Sequence, residues 1–149
     1  MPKVSVVMAT QNPEPQFLCE AVKSVLNQKY RDFEFIIIDD GSKDETMTAI
    51  KYLQTQHSNI KYISFSRNFG KDASMYAGLK ASTGDYVAIM DADLQDPPEL
   101  ITEMYNTIKT EEYDCVAAYR KDRHGEPIIR SFFANCFYRI LNKVSKLNI

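Results

Sequence analysis

Two aspartates one residue apart, Asp91 and Asp93, directly follow the apolar run Tyr86-Val87-Ala88-Ile89-Met90. Carboxylates held that close repel one another unless a cation neutralises them. An all-oxygen donor set suits Mg²⁺ or Mn²⁺, which take one or two protein carboxylates and complete their shells with water and substrate phosphates. A metal diphosphate is therefore the natural partner of such a pair. The plainer alternative is a solvated acidic loop leading into a helix, and Asp96 before Pro97-Pro98 suits a helix cap. A second acidic pair, Asp39-Asp40, ends the run FEFIII and precedes Gly41-Ser42. It reads equally as a turn with a helix cap and as an acceptor for a base N–H or a ribose hydroxyl. Arg67-Asn68-Phe69-Gly70-Lys71 has the glycine and cation of a loop near phosphates, a pattern that many helix starts share.

These groups need a frame that brings them to one place. Apolar runs at residues 3–9, 33–38, 61–66, 86–90 and 114–118 read as strands. The three isoleucines of the second run suit a strand covered on both faces. Between the strands, helical spacing places helices over 16–28, 44–56, 73–81 and 98–111. In the first of these, Phe17, Ala21 and Val25 share a face with Leu18 and Val22; Ser42 or Asp44 caps the second. This alternation predicts an α/β fold, a mainly parallel sheet with helices on both faces. Ligands of open α/β sheets bind beyond the carboxyl ends of the strands. The acidic pairs fall at two such ends.

Composition sets outer limits. The 149 residues suffice for one domain with a sizeable core, and the net charge of −2 argues against nucleic acid as a partner. That charge is unevenly spread: residues 1–119 carry 11 Lys and Arg against 18 Asp and Glu, residues 120–149 carry 7 against 2. In the basic end, Ile129, Phe132, Phe133, Cys136, Phe137, Ile140, Leu141 and Val144 recur every three or four positions among Arg130, Arg139, Lys143 and Lys146. This is the pattern of a basic amphipathic helix, or a broken pair, suited to a membrane surface or to packing on the sheet or a second copy. Cys19, Cys115 and Cys136 form neither a disulfide framework nor a zinc site by spacing. His57 and His124 sit in polar turns and receive no role. No signal peptide and no run of ~18 apolar residues is present.

Taken in order, V-S-V-V-M, F-E-F-I-I-I-D-D-G-S-K-D-E-T, R-N-F-G-K and D-Y-V-A-I-M-D-A-D-L-Q-D-P-P-E resemble the family 2 glycosyltransferases of the GT-A fold, over nearly the whole chain. D-A-D-L-Q-D-P-P-E and R-K-D-R-x-G-E-x-x-x-R-S-F-F are similar to the polyprenyl-phosphate branch, which includes dolichyl-phosphate mannose synthases and bactoprenol glucosyltransferases. The resemblance implies a Rossmann-like donor-binding core over residues 1–119 and an acceptor- and membrane-side segment over 120–149. It places a UDP-sugar or GDP-sugar against Ala9, Gln11, Asp40, Lys71, Asp91, Ala92 and Asp93, with Asp40 at the base. Asp91 and Asp93 are the implied catalytic pair, Asp93 and Gln95 the ligands of Mg²⁺ or Mn²⁺. Arg120 and Arg130 are implied to meet the acceptor phosphate, with Arg123 a weaker candidate. Two departures stand out. Ala9-Thr10-Gln11-Asn12-Pro13 replaces the family's P-x-Y-N-E, which removes an aromatic able to pack on the base. A later acidic residue and the membrane-spanning helices of the family have no counterpart before Ile149, which implies a truncated chain.

The implied reaction is an inverting transfer in which an acceptor oxygen displaces the nucleoside diphosphate from the sugar. A hydroxyl acceptor needs a general base, whereas a polyprenyl phosphate is already ionised and needs cations. The basic end favours the lipid acceptor, and with it a cytoplasmic place at the inner face of a membrane, the full-length protein being membrane-anchored. The rivals are transfer to a sugar hydroxyl of a capsule or cell-wall polymer, a sugar nucleotidyltransferase, and a nucleotide-binding or membrane-docking module without turnover. A homo-oligomer is left open.

Overall fold

The computed structural model describes residues 3–93, 100–111 and 113–118. Four strands alternate with four helices: β1 Val4–Thr10, α1 Pro15–Leu26, β2 Phe33–Asp39, α2 Thr46–Gln56, β3 Ile60–Ser64, α3 Lys71–Ala81, β4 Tyr86–Asp91 and α4 Leu100–Glu111. The strands pair in the order β3-β2-β1-β4, every pair parallel. Residues through Val116 form one compact unit, described below; Ala117 begins a second.

Burial follows position in the sheet. The two central strands are almost wholly covered, β2 along its full length and β1 but for half-buried Ala9. This is what strands between two layers of helices require, and the buried polar Ser5 and Glu34 are bonded to each other. The edge strands are more open: β4 alternates, with Val87 and Ile89 exposed, and β3 is fully buried only at Ile60. On one face Val4, Val6, Met8, Phe33, Phe35 and Ile37 pack with α1, α2 and Ile101 of α4. On the other, Val7, Ile36 and Ile38 lie under α3. Gly78 permits that approach: a Cβ there would meet Val7 Cγ1 at 2.3 Å and Ile38 Cδ1 at 2.9 Å.

Three expectations need correction. Residues 114–118 form no strand; the sheet has four strands among the described residues. Val116, the one large apolar side chain of that run, is half-buried beside Val4, Tyr86 and Ile101, and the rest is exposed. Asp and Ala have little strand preference once no pairing holds them. Phe17 is 54% exposed, because the inward stripe of α1 is Leu18, Ala21, Val22 and Val25. Helix α3 starts at Lys71 rather than 73, for a reason that lies in the site. At α2, Asp44 accepts the Thr46 N–H at 3.0 Å, while Ser42 turns elsewhere.

Candidate active site

The chain runs β1-β2-β3 in one direction across the sheet, and α3 then carries it back to β4 on the other side of β1. Such a reversal opens a crevice beyond the carboxyl ends of the strands on either side of it. Here those ends are Thr10 and Asp91, with Ala9 opposite Asp91 in register. A cleft of about 200 Å³ lies there, lined by Ala9 and Gln11 from β1 and its loop, Asp40 beyond β2, Gly70 and Lys71 at the start of α3, and Asp91 at the end of β4. A roomier hollow of about 780 Å³ between α1 and α4 is lined by neutral polar side chains, with only Lys29 and Glu103 ionisable. Its lining offers no convergent charge, so the smaller cleft is the candidate.

The loops around the cleft are tied to one another. Asn12, at φ 42°, donates its N–H to Ser42 Oγ at 2.8 Å and accepts the Lys43 N–H on Oδ1 at 2.7 Å. This double link joins the β1–α1 loop to the β2–α2 loop. Asp39 accepts the Ser42 N–H at 3.1 Å and the Ser64 hydroxyl at 3.2 Å, which makes it an internal brace of the turn. Its neighbour Asp40 faces the other way. Oδ1 accepts the Phe69 N–H at 2.7 Å and Oδ2 the Gly70 N–H at 2.9 Å. Between the two loops stands Gly41, at φ 70°, where a Cβ would lie 2.3 Å from the Arg67 carbonyl carbon. Only glycine satisfies both the left-handed backbone and that contact.

Lys71 is the first residue of α3 and reaches across the cleft mouth to Asp91. Its Nζ lies 2.5 Å from Oδ1 and 2.8 Å from Oδ2. Both side chains stay accessible, at 59% and 42% exposure, so the pair can exchange partners with a ligand. Together these residues present an ammonium, carboxylates and the N-terminal turn of an eleven-residue helix to one small space. That combination can hold phosphate and a cation at once.

Residues 5–147 match the profile described as "Glycosyl transferase family 2". The chain belongs to this family. It is 36% identical over 148 residues to "Putative glycosyltransferase CsbB" of Bacillus subtilis (strain 168), covering 98% of this chain and 44% of that protein. It is 35% identical to the "Prophage bactoprenol glucosyl transferase homolog" of Escherichia coli (strain K12), covering 99% of this chain and 48% of that one. Identity to the "Bactoprenol glucosyl transferase" of Shigella phage SfX is 36%, over 96% and 47%. The chain thus spans about half the length of the curated relatives it matches.

Among solved structures, the S. aureus protein TarS in complex with UDP-GlcNAc superposes with a TM-score of 0.71 at 24% identity, over 85% of this chain and 36% of that one. It establishes the GT-A fold. The mannosyltransferase of Pyrobaculum calidifontis, in complex with GDP-Man and Mn²⁺, superposes with a TM-score of 0.57 at 27% identity, over 62% and 28%. Glycosyltransferases of this fold generally use a divalent metal.

Of the residues singled out in the sequence of this family member, Ala9, Gln11, Asp40, Lys71 and Asp91 line one cleft. Ala92 and Asp93 follow in the turn after β4, Ala92 half-buried against the core and Asp93 exposed. Gln95, Arg120 and Arg130 lie outside the described residues. The lining also holds Thr10 and Asn68, which the sequence offers only within the motifs that contain them, and Ser74, which together with the Asn12 link had been given no role. Ser74 had a usable signal, one helical turn after Lys71. Among the described residues no three His, Cys, Asp or Glu side chains gather to hold a metal by themselves. The oxygen donors present fit Mg²⁺ or Mn²⁺ only as part of a shell completed by water and phosphate. No helix among the described residues is long and apolar enough to cross a membrane.

Proposed function

We propose that the protein transfers a sugar, with inversion, from a UDP-sugar or GDP-sugar to a polyprenyl phosphate. The observation that carries this reading is the meeting of Lys71, Asp91 and Asp40 in one cleft at the chain-reversal point of a GT-A sheet. Support for the lipid acceptor comes from the names of the bactoprenol glucosyl transferase relatives, and support for the donor from the nucleotide sugars of the solved neighbours.

In this reading residues 1–119 bind the donor. Asp40 meets the base beside Ala9 and Gln11, and Asp91, with Ala92 next to it, borders the ribose and sugar. Asp93 and Gln95 would supply the protein oxygens for Mg²⁺ or Mn²⁺, and such an ion would neutralise charge that develops on the departing diphosphate. Lys71 adds a cation on the same side, held ready by Asp91. The anomeric carbon then accepts an acceptor oxygen from the face opposite the leaving phosphate. A lipid phosphate arrives ionised, so no protein base is required. Arg120 and Arg130, in the basic segment 120–149, hold that phosphate at the membrane surface.

The test is a pair of titrations, UDP and GDP, each with and without Mn²⁺, into the wild type and Asp93→Ala. Metal-dependent binding in the wild type that the variant loses supports the donor site, and the tighter nucleotide names the base. Radiolabelled donor offered to a polyprenyl phosphate and to a saccharide then decides the acceptor. Label in the saccharide alone overturns the lipid assignment.

A further inference from the structure

The carboxylate of Asp40 does more in this fold than line the cleft. It is 5% exposed, and each oxygen accepts a backbone N–H, from Phe69 at 2.7 Å and Gly70 at 2.9 Å. Those two residues immediately precede Lys71. Gly70 turns the chain into α3 at φ 94°, a conformation that a carboxylate acceptor on its own N–H helps to hold. The rest of α3 is fixed independently. Gly78 lies on Val7 and Ile38, and just past the helix the N–H and hydroxyl of Thr83 both bind Glu34, at 2.6 and 2.8 Å. With its middle and far end held, the orientation left to set is that of the first turn, and Asp40 grips the residues on which it depends.

We propose that Asp40 is a positioning residue for the phosphate end of the site: through the amides of Phe69 and Gly70 it fixes Lys71 where Lys71 meets the donor diphosphate. This rests on the reading of the cleft as a diphosphate site. It differs from contact with the base, for which the carboxylate retains unused lone pairs. A base contact concerns only ligands that carry a base; a positioning role concerns the diphosphate alone.

Inorganic pyrophosphate with Mn²⁺ separates the two, because it has no base. It is titrated calorimetrically into the full chain as wild type, Asp40→Asn, Lys71→Met and the double variant, each checked for folding by circular dichroism. In Asp40→Asn an amide N–H₂ opposes a backbone N–H, so one half of the grip is lost. Pyrophosphate should bind about tenfold more weakly, as expected when a charge-assisted hydrogen bond is removed. The double variant should bind no more weakly than Lys71→Met, since the two residues act through one interaction. Wild-type affinity in Asp40→Asn, or losses that multiply in the double variant, overturns the proposal while leaving the diphosphate site standing. A wild type that does not bind pyrophosphate with Mn²⁺ overturns the proposal and the diphosphate reading together. Should Asp40→Asn fail to fold, Gly70→Ala serves instead. Its Cβ meets no atom within 4 Å, yet φ 94° is denied to it, so the loop must leave the carboxylate. The same weakening is expected, and unchanged affinity refutes the positioning role.

Discussion

Glu34 offers a quantitative test of how α3 is anchored. It lies near the start of β2 with its side chain 4% exposed, and it accepts hydrogen bonds from Ser5 Oγ at 2.6 Å, Lys61 Nζ at 2.6 Å and both the N–H and hydroxyl of Thr83. Burial by itself pushes its pKa up, but the donors from Lys61, Ser5 and Thr83 together outweigh it and bring the value from 4.5 down to about 2. The unfolded chain takes up a proton near pH 4.5 that the folded chain refuses until about pH 2. The stabilisation is therefore complete above the unfolded value and disappears as pH falls through that window. At one pKa unit per ~1.4 kcal/mol, the full contribution is about 3 kcal/mol, of which about 2 kcal/mol is gone by pH 3. Urea unfolding of wild type and Glu34→Gln between pH 7 and pH 3 measures it. The gap in unfolding free energy should narrow by about 2 kcal/mol as pH falls, because the glutamine has no charge to lose. Parallel pH profiles would refute the claim that this carboxylate is held ionised by the turn after α3.

Gly41→Ala should cost about 2–4 kcal/mol, since the new methyl meets the Arg67–Asn68 backbone at 2.3–2.7 Å and the φ of 70° is unfavourable for alanine. Thermal melts check the stability, and UDP or GDP titration should show the site weakened as the loop lifts off Asp40. Asp91→Asn should behave in the opposite way, with a stability change of no more than about 1 kcal/mol because its pair with Lys71 is largely solvated. Its Mn²⁺-dependent nucleotide binding should be lost, as calorimetry would show; a large fall in melting temperature with binding intact would mark Asp91 as structural.

The central strands were legible in the sequence because Val4–Thr10 and Phe33–Asp39 are covered on both faces, and short, mainly apolar runs such as Ile36-Ile37-Ile38 leave few other solutions. Asp39 and Asp40 were legible for the same reason, and Asp91 because the edge strand β4, though half exposed, is still an unbroken apolar run that stops there. Legibility failed wherever a residue's role depends on a partner far along the chain. The periodicity of α3 begins at Ala73, but the helix begins at Lys71 because Asp40 accepts the N–H groups of Phe69 and Gly70 from about thirty positions away. Nothing near Asn12 in the sequence marks its link to Ser42 and Lys43, which lie about thirty positions away. The run 114–118 shows the converse error: its residue types permitted a strand, but pairing, which local sequence does not encode, is absent there.

The two ends of the sheet show how structural carboxylates differ from those available to a ligand. Glu34 has four donor contacts and almost no accessible surface, so any new partner must displace an existing hydrogen bond inside a closed site. Asp39 is similarly committed to Ser42 and Ser64. Asp91, by contrast, pairs with the flexible Lys71 and is 42% exposed, at the mouth of a cleft that the chain reversal opens. In the proposed reading, an arriving cation and phosphate would replace that pair without uncovering a buried charge, because each member would gain a new partner of opposite sign. Asp40 stands between these cases, buried and doubly bonded yet lining the cleft. Its bonds go to the loop that carries Lys71, so a ligand that touches it also acts on the cation beyond.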